Sequence, residues 1–504
     1  MALFEQWTRS PFDHSHVPFI ATAGCPDDIT ARFATAQRLN VQDFGAIPND
    51  GRDDLPAFRK AIAAAAAIKD SVVIMVPRGT WTIDGILRMN ASRICLAGES
   101  RRESILEFAR ALKTVLEPID DTTNPTDWSY RGGLIWVEGK PYGADVKPVS
   151  YQVGGNSATG SRQIVVPGHA LAPGDWVHMH WTMPRKGLLP WWGHAASFES
   201  APWRPWPLIG SDGMLDYEWG ARIDAVKQDT LILNSPLPRI ADATVKIGRR
   251  SGALHSIGIR DLTLKMPEHP VKKHLHDLGW NGIYVIGTSG FTVRNVTTIN
   301  ADNAFIIDDS NQGTIESVEI QGQPCHHAVS LRAMTAEVLV QDFVISASTY
   351  HGISVQDLSS RNVFRNGVME SGTFDAHRGM PFDTARINIV LKGHGSGGGA
   401  VGPLQGGRMV NWNITVVPIL ESASASRRAK KSRHDQVANP EYFPNGILAG
   451  INGIDIMPIT GKVWAMPPGD KGCLVFGSET RVNPPDLYLA QREWWRNSLE
   501  QAGP

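Results

Sequence analysis

The chain carries almost no net charge, because 49 lysine and arginine residues balance 50 aspartate and glutamate residues. This balance excludes the basic footprint of a nucleic-acid-binding protein and the acidic composition of a disordered one. The sequence has only 4 cysteines, all far apart, which excludes a disulfide-dense scaffold and a CxxC zinc or redox motif. No run of about 18 apolar residues occurs, so no transmembrane helix is predicted. Neither nucleic acid nor a membrane is therefore an expected partner.

The composition that remains is that of an ordinary globular protein, with 42% hydrophobic and 20% charged residues. The first residues, MALFEQWTRSPFDHSHVPF, lack the basic and apolar regions of a secretory signal. We therefore expect either a cytoplasmic protein or the mature form of a secreted or periplasmic one.

Short apolar strands separated by tight turns occupy residues 41–108. A strand at 41–44 leads into a turn rich in Asn, Asp and Gly, and Asp53 or Asp54 can cap the helix that follows. The runs SVVIMVPRGTWTI and ICLAGES then read as strands. The elements DFGA, NDG, DD and VPRGTW of this stretch resemble the opening of the pectate-lyase-like β-helix superfamily. That resemblance implies a capping helix and first turns, in a family of lyases, hydrolases and phage tailspikes.

An internal repeat independently supports a solenoid. The pattern apolar, polar, Asn/Asp/Ser, apolar starts at Ile259, Val293, Ile315 and Val340, with a degenerate copy at Phe364. Successive starts are separated by about 22–25 residues, a period typical of β-solenoid turns. The first step is longer, and it holds an insertion that would loop out of one turn. The sequence therefore predicts an all-β fold, a right-handed parallel β-helix.

A second register runs through the same region. The segments WNGIYV, DNAFII, HHAVSL, YHGISV and AHRGMP align on Asn281, Asn303, His327, His351 and His377, in steps of about 22–26 residues. Adjacent turns pair about 4.8 Å apart, so these side chains are predicted to stack along one edge of the cylinder. The stack is either a structural ladder that satisfies polar side chains or part of a site.

Ionisable residues collect near the ends of these predicted strands, which makes this the candidate site. The candidate catalytic residues are His327, Arg332, His351, Asp357, Asp375, His377, Arg378 and Asp383. Asn303, Asp308 and Asp309 on the same turns are candidate substrate-binding residues. No metal ligands are assigned.

Tryptophan is concentrated between residues 151 and 250, where the repeat is lost. Seven of the 16 tryptophans lie between Trp176 and Trp219, and neighbouring prolines disfavour regular helix or central strand there. We interpret this region as an inserted lobe. Its tryptophans form either a small local core or an aromatic platform for sugar rings. The candidate platform residues are Trp191, Trp192, Trp203 and Trp206.

The predicted organisation has five parts. They are an N-terminal extension (1–40), the cap helix and first turns (41–150), the Trp-rich lobe (151–250), the central turns with the groove (251–425), and a C-terminal loop and capping tail (426–504). The last residues can form an amphipathic helix that shields the open end of the stack or docks a neighbouring subunit. A homo-oligomer is compatible with the second arrangement.

An extended polysaccharide or oligosaccharide suits the long ridges of a solenoid, an inference that rests partly on analogy of fold. We expect β-elimination on a uronate polymer, with His351 or His327 as the base and Arg332 or Arg378 at the carboxylate. The insertion at 265–280 would add a wall that binds an acidic chain through Lys272, Lys273, His276 and Trp280.

Two alternatives stay open. Neighbouring turns also offer the carboxylate spacings of glycoside hydrolases, and Asp308–Asp309 echoes the paired aspartates of polygalacturonase-like enzymes on this fold. The other alternative is a non-catalytic, tailspike-like or carbohydrate-binding solenoid. No cofactor is assigned, although stacked carboxylates at Asp308, Asp309, Asp357 and Asp383 could hold Ca²⁺ as in some pectate-lyase-like enzymes.

Overall fold

The computed structural model describes most of the 504 residues. The described residues are 2–116, 128, 130–142, 150–154, 159–184, 214–238, 244–270, 276–371, 373–377, 379–393, 405–417, 436–460 and 472–502. The α-helices among them are α1 (Ala2–Arg9), α2 (Ile29–Ala34), α3 (Leu55–Ala66), α4 (Leu112–Val115) and α5 (Leu487–Ala502). Single 3₁₀ turns lie at Val41–Phe44 and Pro440–Tyr442. None of these helices combines the length and apolar composition that a membrane-crossing segment needs.

The strands fall into consecutive groups. The first turns contain β1 (Gln37–Asn40), β2 (Val72–Val76), β3 (Gly79–Ile83), β4 (Leu87–Met89), β5 (Ile94–Gly98), β6 (Ser104–Phe108) and β7 (Ile135–Glu138). The next group is β8 (Ser150–Gln152), β9 (Gln163–Val165), β10 (Trp176–Pro184), β11 (Met214–Lys227), β12 (Thr230–Leu233) and β13 (Thr244–Arg249).

The central and C-terminal turns contain the remaining strands. These are β14 (Leu254–Lys265), β15 (Ile283–Ile286), β16 (Thr288–Ile299), β17 (Asn303–Asp308), β18 (Asn311–Glu316), β19 (Glu319–Gln321), β20 (His327–Arg332), β21 (Leu339–Ile345), β22 (Ile353–Val355), β23 (Val363–Met369), β24 (Phe374–Ala376), β25 (Ala385–Lys392), β26 (Val410–Trp412), β27 (Thr415–Val417), β28 (Ile447–Ala449) and β29 (Leu474–Phe476).

Parallel pairing between successive turns builds two long sheets. The major sheet runs β1-β2-β5-β14-β16-β18-β21-β23-β25-β26-β28-β29, and the site sheet runs β4-β7-β15-β17-β20-β22-β24. Val293 pairs with Ile315, and Val340 pairs with Phe364, as the repeat predicted. The all-β parallel β-helix is therefore confirmed, and its interior is one continuous apolar core.

The Asn/Asp/Ser position of the repeat is a corner of the helix. Asp261, Asn295, Ser317, Asp342 and Asn366 all adopt the left-handed conformation, with φ between 52° and 58°. Short polar side chains tolerate this conformation better than branched or bulky ones do. The corner bends each turn between two strand segments, which explains why the repeat recurs once per turn.

The cap helix α3 closes the beginning of the stack. It buries Leu55, Phe58 and Ile62 against the core, at the spacing of one helical face. Asp53 Oδ1 accepts a hydrogen bond from the amide of Leu55. Asp54 instead accepts from the amide of Ile47 at 2.8 Å, so its carboxylate holds the preceding turn rather than the helix.

The lobe is a six-stranded antiparallel sheet in the order β8-β13-β10-β11-β12-β9. Trp181 and Trp219 are fully buried in its core, so the local-core interpretation holds for these two tryptophans. The lobe packs on the corner of the stack that contains Leu358 and Phe382. Its backbone approaches closely at Gly220, whose carbonyl accepts from Asn311 Nδ2, and a Cβ at Gly220 would lie 2.6 Å from the Asn311 amide oxygen.

Helix α5 lies along the side of the last turns and holds the N-terminal segment. Leu487 and Tyr488 share a buried cluster with Trp7, Ile20 and residues of the major sheet. Gln491 adds two hydrogen bonds on either side of Phe19. Its Oε1 accepts from the amide of Ile20, and its Nε2 donates to the carbonyl of Pro18. The two ends of the chain are thus packed together on one flank.

Candidate functional site

The outer face of the site sheet is the candidate site. Along each strand, alternate residues such as Ile283 and Val285 enter the core, so the intervening side chains face outward. At its beginning this face presents Arg88 over the ring of Trp136 at 4.3 Å, and Trp136 meets Tyr284 edge to face at 5.3 Å. Trp136 is half-buried, which leaves an aromatic surface next to a cation.

The predicted ladder forms over its first four members. Asn281 donates to the carbonyls of Trp128 and Gly132, and Asn303 Nδ2 donates to Asn281 Oδ1 at 2.9 Å. Asn303 Oδ1 accepts from the amide of His327 at 3.2 Å. Asn303 is fully buried and engaged in the ladder, so its placement is that of a structural residue.

The last step of the predicted register is wrong. Ile353 pairs with Phe374 and Val355 with Ala376, so His377 lies one position beyond Ala376, level with Gln356 and not with His351. The turn of the solenoid between β22 and β24 is thus shorter than the spacing of the sequence segments predicted. The shift places Asp375 opposite Ser354 on the outer face.

Four histidines and one aspartate nevertheless form a compact cluster, the histidine cluster: His326, His327, His351, Asp375 and His377. The rings of His327 and His351 stack at 4.7 Å, and His326 lies 4.7 Å from His327 and 5.1 Å from His351. The ring of His377 meets that of His351 edge to face at 4.7 Å. All five residues are buried.

Asp375 joins two of these rings. Its Oδ2 lies 3.1 Å from His351 Nδ1 and 3.2 Å from His377 Nδ1. Burial opposes ionisation of Asp375, but the two histidines outweigh it and hold the pKa of this carboxyl below its ordinary value. With Nδ1 of both rings directed at a carboxylate, Nε2 is the basic nitrogen of each.

The deepest ring is His327. Burial and the neighbouring histidines lower its pKa well below the ordinary value, so it is neutral near pH 7. Burial also lowers the pKa of His326, although its Nδ1 lies 2.9 Å from Asp277 Oδ2. Tyr130 covers both rings, at 5.5 Å from His326 and 5.9 Å from His327.

Arginines hold three of the carboxylates that stand out in the sequence. Arg332 Nε donates to Asp308 Oδ1 at 2.8 Å, and Arg408 Nε donates to Asp383 Oδ1 at 2.6 Å. Asp309 lies 3.2 Å from Arg250, which comes from the end of the lobe. Burial nevertheless raises the pKa of Asp309 well above its ordinary value. These carboxylates do not form the oxygen cage that Ca²⁺ prefers.

The other predicted residues are placed differently. Trp280 is buried and its ring lies 5.8 Å from that of His269, so it packs in the core. His276 is exposed. Asp357 occupies a left-handed corner after β22, with φ 51°. The remaining predicted residues lie outside the described residues: Arg378, Trp191, Trp192, Trp203, Trp206, Lys272 and Lys273.

Sequence reasoning missed His326, Asp277, Trp136 and Tyr130. His326 directly precedes a predicted site residue, so the HH pair was a usable signal. Asp277 and Tyr130 come from segments outside the repeat, and nothing in their spacing indicates that they reach the cluster. Trp136 lies on β7, whose position in the site sheet only the pairing with Tyr284 reveals.

The comparisons with known proteins agree with the opening motifs. Residues 38–128 match the family model described as "Rhamnogalacturonase A/epimerase, pectate lyase-like". The opening segment is therefore similar to this family, the same resemblance that its motifs indicated. The search of the curated proteins finds no match.

Several solved structures are similar to this chain. The tailspike protein gp49 from Pseudomonas phage LKA1 is 14% identical, with a TM-score of 0.45 over 76% of this chain and 63% of that one. An exopolygalacturonase from Thermotoga maritima is 10% identical, with a TM-score of 0.36 over 89% and 84%. The A-module of the mannuronan C-5 epimerase AlgE6 from Azotobacter vinelandii is 10% identical, with a TM-score of 0.34 over 88% and 99%.

This chain spans less than two thirds of the LKA1 tailspike. These TM-scores are below 0.5, a level at which the likeness says nothing about activity.

Proposed function

We propose that this protein cleaves glycosidic bonds of a uronate-containing polysaccharide or oligosaccharide by β-elimination on the outer face of the site sheet. The observation that carries the proposal is the pair of imidazoles, His351 and His377, that share the carboxylate of Asp375. A carboxylate that fixes Nδ1–H makes Nε2 of the same ring an oriented base.

His377 is the proposed base. Its side chain is 11% exposed, against 7% for His351, and both Nδ1 atoms are engaged by Asp375. His327 is a weaker candidate than His377, because its ring is fully buried and its pKa is strongly lowered. An acceptable base must reach the proton it removes.

The proposed step begins when His377 Nε2 takes the proton from C5 of the uronate. The electron pair left on C5 forms the C4–C5 double bond, the C4–O bond breaks, and the proton held on His377 Nε2 passes to the leaving oxygen. The product is an unsaturated uronate and a new reducing end. The carboxylate on C5 makes this proton acidic enough to remove only when its charge is neutralised.

The two-carboxylate alternative has less support. A glycoside hydrolase needs one carboxyl group as acid and another as nucleophile or base. Asp308 and Asp383 are each bound by an arginine through Nε and a terminal nitrogen, and Asp309 pairs with Arg250. Arg332 is already ion-paired with Asp308, so Arg378 remains the predicted partner of the uronate carboxylate.

The aromatic surface at Trp136 supports binding of a sugar chain. Its half-buried ring lies on the same outer face as Asp375, on an earlier turn of the site sheet. The apolar faces of sugar rings stack on indole. Arg88 lies over this ring but is paired with Glu138, so the ring and not the charge supports sugar binding here. We propose that the polymer runs parallel to the axis of the stack, from Trp136 towards the histidine cluster.

The test is an assay on a panel of uronate-containing polysaccharides. Elimination produces ultraviolet absorbance from the new double bond together with reducing ends, and this result is expected. His377→Gln should lower kcat by about 10²–10⁴-fold while the far-ultraviolet circular dichroism stays unchanged. His169→Ala, on the lobe, is the matched control and should keep full activity.

Reducing ends without the absorbance would mean hydrolysis and would overturn the mechanism. Binding without any cleavage across the panel would favour a non-catalytic carbohydrate-binding solenoid instead.

A further inference from the structure

The inner half of the histidine cluster has the composition of a transition-metal site. His326, His327 and His351 each offer a ring nitrogen, and the three nitrogens lie within 4.8 Å of one another. The rings stand on adjacent turns, on or just before β20 and β22, so the backbone pairing of the site sheet fixes their spacing. In tetrahedral geometry two nitrogens bound to one zinc ion lie about 3.3 Å apart, so a bound ion would draw these nitrogens closer together.

Carboxylates orient two of the three rings. Asp277 Oδ2 lies 2.9 Å from His326 Nδ1, and Asp375 Oδ2 lies 3.1 Å from His351 Nδ1. In each case Nδ1 lies close to a carboxylate oxygen, which leaves Nε2 as the donor nitrogen. Histidines that bind metals almost always give their other N–H to a carboxylate, a carbonyl or water. The carboxylates of Asp277 and Asp375 stand in the place of such partners.

His327 provides the independent observation. Its side chain is 1% exposed, and neither ring nitrogen has a hydrogen-bond partner among the described residues. Buried polar atoms in folded proteins nearly always have a partner, and each exception needs an explanation. A metal ion between this ring and its two neighbours would supply that partner.

We propose that His326, His327 and His351 bind one divalent transition-metal ion of the zinc class, with a fourth coordination position left open. Three imidazoles suit zinc, cobalt, nickel and copper, whereas calcium and magnesium prefer oxygen ligands. Three histidines with an open fourth position are typical of metal sites that take a water molecule or a substrate oxygen.

A second triad, His351, Asp375 and His377, also places its donor atoms within 4.8 Å. Its carboxylate already lies between the two Nδ1 atoms. We therefore assign Asp375 to the orientation of His351 and not to the metal. The metal site goes beyond the proposed function, because it rests on ligand geometry and holds whether or not the protein cleaves a polysaccharide.

The test uses the full chain, stripped with a chelator and dialysed. Titration with Zn²⁺ by calorimetry should give one site per chain, and Ca²⁺ should give none. Bound Co²⁺ should show visible absorption bands typical of a four-coordinate site with nitrogen ligands. Zn²⁺ should also raise the melting temperature, since an ion that binds only the folded state stabilises it.

Three variants locate the site. His327→Ala should abolish the Co²⁺ bands, and Asp277→Asn, which removes no ligand, should weaken Zn²⁺ binding by about 10–100-fold. His169→Ala, on the lobe, is the control and should bind as the wild type does. If His327→Ala does not fold, the wild-type spectrum and Asp277→Asn decide the question.

Absence of Zn²⁺ and Co²⁺ binding by the wild-type chain would overturn the proposal. Binding that neither His327→Ala nor Asp277→Asn changes would overturn it as well, because the ion would then lie elsewhere.

Discussion

At the scale of single residues, the buried charges act in pairs. Arg250 and Asp309 have side chains that are 3% and 8% exposed, and Arg250 Nη1 also donates to Asn311 and Ser289. This arginine comes from the end of the lobe and enters the wall of the stack. A buried charge with its partner removed costs far more than an exposed one, so this pair fixes how the lobe is seated.

Arg250→Ala should therefore lower the free energy of unfolding by about 3–5 kcal/mol, because it leaves the buried oxygens of Asp309, Ser289 and Asn311 without their donor. Urea denaturation followed by fluorescence measures this change. Lys392→Ala breaks an ion pair with Glu370 whose side chains are 43% and 41% exposed, and it should cost at most about 1 kcal/mol. Equal losses in the two variants would contradict the role given to Arg250.

A second charge cluster predicts a pH dependence. Arg222 of the lobe and Arg32 of α2 contact Asp27 at 2.7 Å and 2.6 Å. Burial raises the pKa of Asp27, but the two arginines outweigh it and leave the pKa below its ordinary value. A depressed pKa contributes stability above the unfolded-state value of about 4, and this contribution is lost as pH falls through the folded-state value.

Asp27→Asn should thus melt at a lower temperature than the wild type at neutral pH, and the two proteins should converge in acid. Thermal denaturation from pH 7 downwards measures the difference. A difference that stays constant across this range would show that Asp27 contributes through packing and not through its charge.

At the scale of elements, the recurring corner explains why the fold could be predicted. At this corner each turn has a left-handed residue, and all five copies carry Asn, Asp or Ser, short polar side chains that tolerate the conformation, so the sequence records the period. Asn366 lies at such a corner with φ 52°, and its Nδ2 donates to Asp342 Oδ1 of the previous turn at 3.2 Å.

Asn366→Ala should lower the free energy of unfolding by about 1–2 kcal/mol, since a Cβ in the left-handed region is strained and the amide contact is lost. Asn366→Gly should cost less, because glycine adopts this conformation without strain. Both changes are measured by urea denaturation. Equal destabilisation by alanine and glycine would assign the whole effect to the amide and none to the backbone.

The same reasoning shows where prediction from sequence ended. The repeat placed His327 and His351 together, because both follow corners of regular spacing. It misplaced His377, since the turn between β22 and β24 is shorter than the turns before it and no local signal records the length of a loop. The repeat also gave no sign that Asp309 pairs with Arg250, because this contact forms between the lobe and the stack and depends on how the two pack together.

At the scale of the whole molecule, the two chain ends stabilise the final turns together. Trp7 meets Trp494 edge to face at 5.0 Å, and Tyr488 donates to the carbonyl of Ala23 at 2.7 Å. Helix α5 thereby ties the N-terminal segment to strands β26 and β28. In a stack of turns each unit contacts only its neighbours, so this long-range strap links turns that would otherwise open from the end.

Tyr488→Ala should remove a fully buried ring and destabilise the protein by about 3–5 kcal/mol. Hydrogen exchange should accelerate in the N-terminal segment 17–23 and in the last strands before it does at β15. Leu489→Ala is the matched control, because Leu489 follows Tyr488 directly and is 48% exposed. Exchange that accelerates uniformly along the chain would argue against a local strap.

The shortened turn before β24 has a wider consequence. If this turn were as long as the two before it, Arg378 would occupy the position opposite Ser354; in the shorter turn that position belongs to Asp375. The number of residues in this one turn therefore decides whether an acidic or a basic side chain lies beside the histidines. An insertion or deletion in the loop between two strands could therefore change which side chains meet in the site, although no site residue is itself substituted.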